Sequence, residues 1–228
     1  MPMIVFALAT ASEHRATFDS DRPLSGPSSS TSLITGIGPV NAAAGLAAFL
    51  AVNPSVCGVV NLGVAGTFST VRAALGKTVV VEHEIWPEFG LYTDSGLDPE
   101  ALGFALAQID GRPVWDRLDL DPDRAARDMG LALDPEWKRG PSLTVAGVTG
   151  TPERARHLSK LYDALLENME GFALALVCAG RRIPFLEIRT VSNLVGSRRP
   201  EDWALHPALN RLSAIRQHLI PGRSQPCS

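Results

Sequence analysis

The chain has 228 residues, 45% of them hydrophobic and 20% charged, enough apolar material to close a core of its own. Its 21 Lys and Arg against 24 Asp and Glu leave a net charge of −3, which excludes the strongly basic surface that nucleic-acid binding needs. The 3 cysteines, Cys57, Cys178 and Cys227, show neither a disulfide framework nor zinc-ligand spacing, so no metal is expected and a reducing cytoplasm is the expected setting.

In chain order, the opening MPMIVFALATAS lacks a basic start and is β-branched at Ile4 and Val5, so it reads as a buried first strand rather than a secretory leader. No apolar run reaches the ~18 residues of a membrane span, so no membrane partner is expected. Further strand-length runs lie at Ser32–Ile37, Val56–Leu62, Thr78–Glu84, Leu143–Val148 and Phe185–Val191, after the first at Met3–Ala9. Helical segments alternate with several of them: Pro39 followed by VNAAAGLAAFLAV, ERARHLSKLYDALL behind Thr151 and Pro152, Gly171 to Gly180, and Pro207 to Leu219. The alternation predicts an α/β fold, a three-layer α/β/α sandwich around a mixed, largely parallel central sheet. Asp19–Thr31 reads as a surface loop and Pro113–Pro141 as irregular, dense in proline and charge. No composition break divides the chain, so residues 1–220 are taken as one domain and Pro221–Ser228 as a flexible tail.

Three stretches could carry chemistry. Gly36-Ile37-Gly38-Pro39-Val40-Asn41 sits between a strand and a helix, where glycines allow a ligand to approach backbone amides; it departs from GxGxxG and gives little support to a dinucleotide site. Asn61 to Thr67 reads as a second glycine-containing turn after a buried strand. In the C-terminal third, Asn168-Met169-Glu170-Gly171 opens an almost uncharged helix, and Glu187 to Asn193 closes a buried strand. A glutamate leading GFALALVCAG is drawn toward the core and needs a partner or a ligand there, unless it only balances the helix dipole.

GIGPVNAA, NLGVAG, VTGT, NMEG and RTVSNLVGSRRPEDW, in this order, resemble the nucleoside phosphorylase/nucleosidase superfamily, and within it the futalosine hydrolases of bacterial menaquinone biosynthesis. The resemblance runs from Met3 to about Leu212 and leaves Gly111–Gly140 poorly matched. It implies a nucleoside phosphorylase-like fold, a small-molecule nucleoside substrate, no cofactor, a homo-oligomer, and hydrolysis of the N-ribosidic bond of futalosine to hypoxanthine and dehypoxanthine futalosine.

By the same resemblance, Glu170 holds the ribose hydroxyls, Met169 lies against the sugar, and Glu13 with Arg189 places the attacking water. Taken in ASEHRA alone, Glu13 reads as an exposed loop residue with His14 solvated beside it. Asn193 falls where adenosine-type nucleosidases carry an aspartate. An amide donates to a 6-oxo group and accepts from N7–H, which favours hypoxanthine over adenine; locally, the same asparagine could simply satisfy strand-end backbone. Val64 stands where phosphorylases have a phosphate-binding serine, which points to water as the nucleophile. Gly66, Thr149, Gly150 and Ser192 fall in base-binding segments, and Arg198 and Trp203 are candidates for a carboxylate-bearing aromatic tail, although paired arginines are by default solvated. An adenine-releasing nucleosidase, a phosphorylase and a catalytically silent nucleoside-binding protein are the rival readings.

Overall fold

Apolar strands that alternate with helices must stack their buried faces, and the computed structural model, which describes residues 2–18, 29–94 and 96–219, shows how. The elements are β1 (Met3–Leu8), α1 (Ala11–Phe18), β2 (Ser29–Ile34), α2 (Pro39–Val52), β3 (Val56–Thr67), β4 (Thr78–Ile85), β5 (Leu91–Thr93), β6 (Gly96–Asp98), β7 (Ala107–Ile109), β8 (Arg112–Val114), β9 (Arg117–Asp119), α3 (Pro122–Met129), β10 (Lys138–Thr144), α4 (Pro152–Tyr162), β11 (Leu166–Asn168), α5 (Gly171–Arg181), β12 (Phe185–Leu194) and α6 (Leu205–Leu219).

The 8-stranded sheet runs β11-β10-β4-β12-β3-β1-β2, with β9 added beside β4. Pairing is parallel from β2 through β1 and β3 to β12, and again from β4 through β10 to β11. The two parallel blocks meet antiparallel at β12 and β4, which makes the sheet mixed. Its far end also folds back, because β11 pairs antiparallel with β3 at Leu166 opposite Thr67 and Glu167 opposite Gly66.

Layering follows strand alternation. Ile4, Phe6 and Leu8 of β1 face one core with Leu212, Ile215 and Leu219 of α6, whereas Val5 and Ala7 face another with Leu46 of α2 and Leu174 of α5. Helices therefore cover both faces, the expected three layers. Where the sheet curls, Ala65, Val79, Val81, Leu166 and Val191 pack on one another instead.

Several expectations move. Strand β2 begins at Ser29 and β10 at Lys138, both earlier than their apolar runs suggest. Asn61 to Thr67 is no turn but the second half of β3, which continues because β12 pairs along it as far as Leu194. Helix α4 has its Thr151 cap, whose hydroxyl accepts from the Arg154 N–H at 3.3 Å, but stops at Tyr162 where Asp163 turns left-handed at φ 47°. Pro113–Pro141 is ordered as the rest of β8, then β9, α3 and the first residues of β10; α3 is capped by Asp121 and closed by Gly130 at φ 68°, and buries one stripe, Pro122, Ala125, Ala126 and Met129, whose mostly small side chains are inconspicuous among its charges. Most of the expected loop at Asp19–Thr31, and the expected tail, lie outside the described residues.

Candidate active site

Helix α5 begins at a crowded point. Its first amides are satisfied by side chains from elsewhere: the N–H groups of Glu170 and Gly171 donate to Asn168 Oδ1 at 2.8 and 2.7 Å, and that of Phe172 to Thr144 Oγ1 at 2.7 Å. Glu170 itself makes no side-chain cap. Its carboxylate instead accepts from the Gly38 N–H at 3.1 Å and lies 3.7 Å from Arg189 Nη1, so balancing its own helix is not what holds it. Gly38, at φ 90°, is the residue before Pro39 and α2, so the GIGPVN turn meets the head of α5 here. Burial pushes the Glu170 carboxyl above the usual carboxylate range, and Arg189 pulls it part of the way back.

Glu13 arrives from the other side. It is in the first turn of α1, is only 4% exposed, and accepts from the Thr10 N–H and hydroxyl at 3.0 and 2.9 Å and from the Val64 N–H at 3.0 Å. The exposed-loop reading is therefore wrong: Thr10 caps a helix that ASEHRA gives little apolar signal for, and the cap turns Glu13 inward. His14 is not solvated either, since its Nε2 is 2.9 Å from Ser32 Oγ and its ring stacks on Phe18.

Arg189, 1% exposed on β12, joins the two acids. Its Nε donates to Glu187 Oε1 at 2.8 Å and its Nη2 to Asn168 Oδ1 at 3.2 Å. Burial works against the cation, but Glu187 and Glu170 more than offset this and raise its pKa. Gly63 makes the meeting possible. A Cβ there would lie 2.6 Å from Glu13 Oε1 and 2.8 Å from Arg189 Nη1, so only glycine lets the strand pass between them. Val64 contributes its backbone, with N–H to Glu13 and C=O 3.5 Å from Arg189 Nη1.

The other candidates gather three residues further along β3, a rise of about 10 Å. Gly66 lies opposite Asn193, whose amide would be 3.1 Å from a Cβ at position 66. Ser192 Oγ is 2.8 Å from Asn193 Oδ1 and 3.1 Å from the Ala65 carbonyl, and Asn193 Nδ2 donates to the Leu194 carbonyl at 3.3 Å. A backbone bridge joins Asn193 to Trp203, and Arg198 lies over the Trp203 ring with its guanidinium carbon 5.9 Å from the centroid. Thr149 is fixed by its N–H to Glu167 Oε1 at 2.9 Å, and a Cβ on Gly150 would be 3.8 Å from Arg198 Nη2. Met169 is half-buried between Asn168 and Glu170.

Glu13, Glu170 and Arg189 are thus in one buried cluster, with Asn193, Ser192 and Gly66 in a second farther along the paired strands β3 and β12. Sequence reasoning passed over Glu84, Thr144, Asn168, Glu167 and Glu187, all buried around these clusters. For Glu84 and Glu187 the signal is an acid inside an apolar strand, as in VVVEHEI and FLEIRTV; Thr144, Glu167 and Asn168 carry none. Among the described residues no acid, histidine and cysteine group could hold a metal ion, and no helix is long and apolar enough to cross a membrane.

A family model described as the phosphorylase superfamily matches residues 30–219. Over 191 residues, covering 82% of this chain and 80% of the relative, the sequence is 38% identical to the futalosine hydrolase of Thermus thermophilus. It is 30% identical over 167 residues to a 5′-methylthioadenosine/S-adenosylhomocysteine nucleosidase of Geobacillus kaustophilus, covering 72% of this chain and 66% of that one. In structure, the futalosine hydrolase of Helicobacter pylori superposes with a TM-score of 0.70 at 16% identity, covering 95% of this chain and 96% of that one, a likeness of fold.

Proposed function

Because the chain belongs to the phosphorylase superfamily, we propose that it hydrolyses the N-ribosidic bond of futalosine, releasing hypoxanthine and leaving dehypoxanthine futalosine, a step of menaquinone biosynthesis. The observation that carries the reading is the buried cluster of Glu13, Glu170 and Arg189 on the same pair of strands that carries Asn193.

The bond breaks as electrons move to the purine and the ribose turns oxocarbenium-like, so an enzyme gains most by fixing negative charge beside the sugar. Glu170 supplies it. One carboxylate oxygen is anchored on Gly38, and Arg189 stands too far off for a hydrogen bond, which leaves Glu170 Oε2 for the ribose hydroxyls and the growing positive charge. Glu13 accepts a proton from the attacking water as its oxygen bonds to C1′, and Arg189 helps orient that water. Met169 packs against the sugar. Asn193 meets the base, its N–H on the 6-oxo group and its carbonyl accepting from N7–H once N7 has taken a proton from solvent as the bond breaks, while Ser192 holds the amide in place. Gly66, Thr149 and Gly150 line the base, and Arg198 and Trp203 receive the carboxylate and ring of the tail.

The apolar side chain at Val64 supports water over phosphate as the acceptor. A homo-oligomer remains part of the proposal, supported by an apolar hollow of 230 Å³ lined by Trp86, Phe172 and Leu176 next to Val40, itself 79% exposed, and a cytoplasmic setting is proposed from the few, unpatterned cysteines. Purified protein incubated with futalosine, inosine and methylthioadenosine, with free base followed by chromatography, should release hypoxanthine from futalosine fastest and without added phosphate. Faster turnover of methylthioadenosine would favour the adenine-releasing rival.

A further inference from the structure

Behind the proposed sugar site lies a second group of acids that no step above uses. Glu84 on β4 and Glu187 on β12 are both fully enclosed. They converge on the open side of Gly171: a Cβ there would lie 2.5 Å from both Glu187 oxygens and from Glu84 Oε1, so the absent side chain is what makes room for two carboxyl groups in contact. Glu84 is held by neutral donors, Thr144 Oγ1 at 2.6 Å and Asn168 Nδ2 at 2.7 Å. Glu187 has the cation, Arg189 Nε at 2.8 Å, on one oxygen, while its other oxygen makes no well-aligned hydrogen bond, although the Asn61 amide lies close enough to favour its charge.

We propose that Glu84 and Glu187 share one proton, carried on Glu84 and donated to Glu187, and that this pair positions Arg189 and the head of α5 for the reaction. Both are positioning residues; neither reaches the substrate. The charged groups facing the pair are Arg189 on β12, Glu170 at the start of α5 and, across Gly63, Glu13 on α1. Four carboxylates around one guanidinium would be a costly buried excess of negative charge, and two carboxyl groups in contact do not both ionise. Burial, reinforced by Glu187, keeps the Glu84 proton in place well above the ordinary range, whereas Arg189 favours the ionised form of Glu187.

The geometry gives the pair a purpose. Arg189 is drawn to Glu187 at 2.8 Å and held off Glu170 at 3.7 Å. Were Glu187 neutral, the guanidinium would close on Glu170 and cancel the charge the sugar needs. Asn168 couples the same pair to the helix, since its amide N–H binds Glu84 while its carbonyl binds the Glu170 and Gly171 amides.

This inference rests on the proposed sugar site for its kinetic consequence but not for its spectroscopic one. Infrared spectra of the substrate-free protein at neutral pH should show the carbonyl stretch of a protonated carboxylic acid that disappears in Glu84→Gln. It should shift in Glu187→Gln, where burial still holds the Glu84 proton but the carboxylate that accepts it is replaced by the weaker amide carbonyl. With the substrate that supports base release, Glu187→Gln should lower kcat by about 30-fold while KM changes less than about threefold, the split expected when a transition-state interaction is lost. A wild-type spectrum without the band, a band that stays unmoved in whichever variant folds, or an unchanged kcat in Glu187→Gln would overturn the proposal. A band that behaves as expected in a protein that leaves futalosine intact would instead overturn the substrate assignment alone.

Discussion

At one end of the site Glu13, Glu170 and Arg189 are enclosed and tied to Thr10, Val64, Gly38, Glu187 and Asn168; at the other, Arg198 is exposed and Trp203 is 39% exposed, its indole N–H on the Ser197 carbonyl. The first end has its dipoles and charges arranged before any ligand arrives, which is what stabilising a short-lived cation requires. The second is open and rests on a few contacts, which suits gripping a tail that does not react. Asn193 lies between them, half-buried and aligned by Ser192. The contrast predicts that substitutions at the closed end change turnover, those at the open end change affinity, and the middle position changes which base is accepted.

The largest effect should come from Glu170→Gln, which keeps the shape and removes the charge: kcat is expected to fall by about 10³-fold, in line with loss of a preorganised electrostatic contact, with the melting temperature unchanged or raised. Stopped assays of hypoxanthine release and a thermal melt check both halves. Asn193→Asp should move the preference between 6-oxo and 6-amino nucleosides by about 10²-fold toward the amine, because a buried carboxylate facing an oxo group leaves two acceptors opposed. Competing futalosine against aminodeoxyfutalosine measures it. Trp203→Ala should raise KM by about 10-fold and leave kcat within about twofold, a loss shared by ground and transition states. A fall in kcat there would erase the distinction between the two ends.

The smallest effect is on stability. Glu84, Glu187, Glu170 and Glu167 all bind protons more tightly in the folded chain than in the unfolded one, chiefly through burial. Their contribution is complete below the ordinary value of 4.5 and is lost as pH rises through the raised folded values. The melting temperature should therefore fall as pH rises above 4.5 through the raised folded values, and fall less in Glu84→Gln. A melting curve series in both proteins would show it.

How much of this was legible differs along the chain. The strands with long apolar runs and the helix behind Pro39 are plain because burial on two faces leaves a continuous signal. The N-terminal helix is not, since ASEHRATF fully buries only Glu13 and Thr17 and sets just Ala16 and Phe18 against the core, too few apolar positions to show a period. Gly63 and Gly66 suggested a turn because glycine breaks strands more often than it builds them; here each makes room for a side chain from across the sheet. Glu170 could be picked out as an acid that burial must provide for. Glu84 and Glu187 could not be paired, because they stand 103 positions apart on strands that only the folded sheet brings side by side.

Crystals of the protein soaked with hypoxanthine and ribose, or with an uncleavable futalosine analogue, would test the central claim most directly. The account predicts the 6-oxo group on Asn193 Nδ2 and a ribose hydroxyl on Glu170 within one continuous cavity. Density that places the purine away from Asn193, or the sugar away from Glu170, would contradict it.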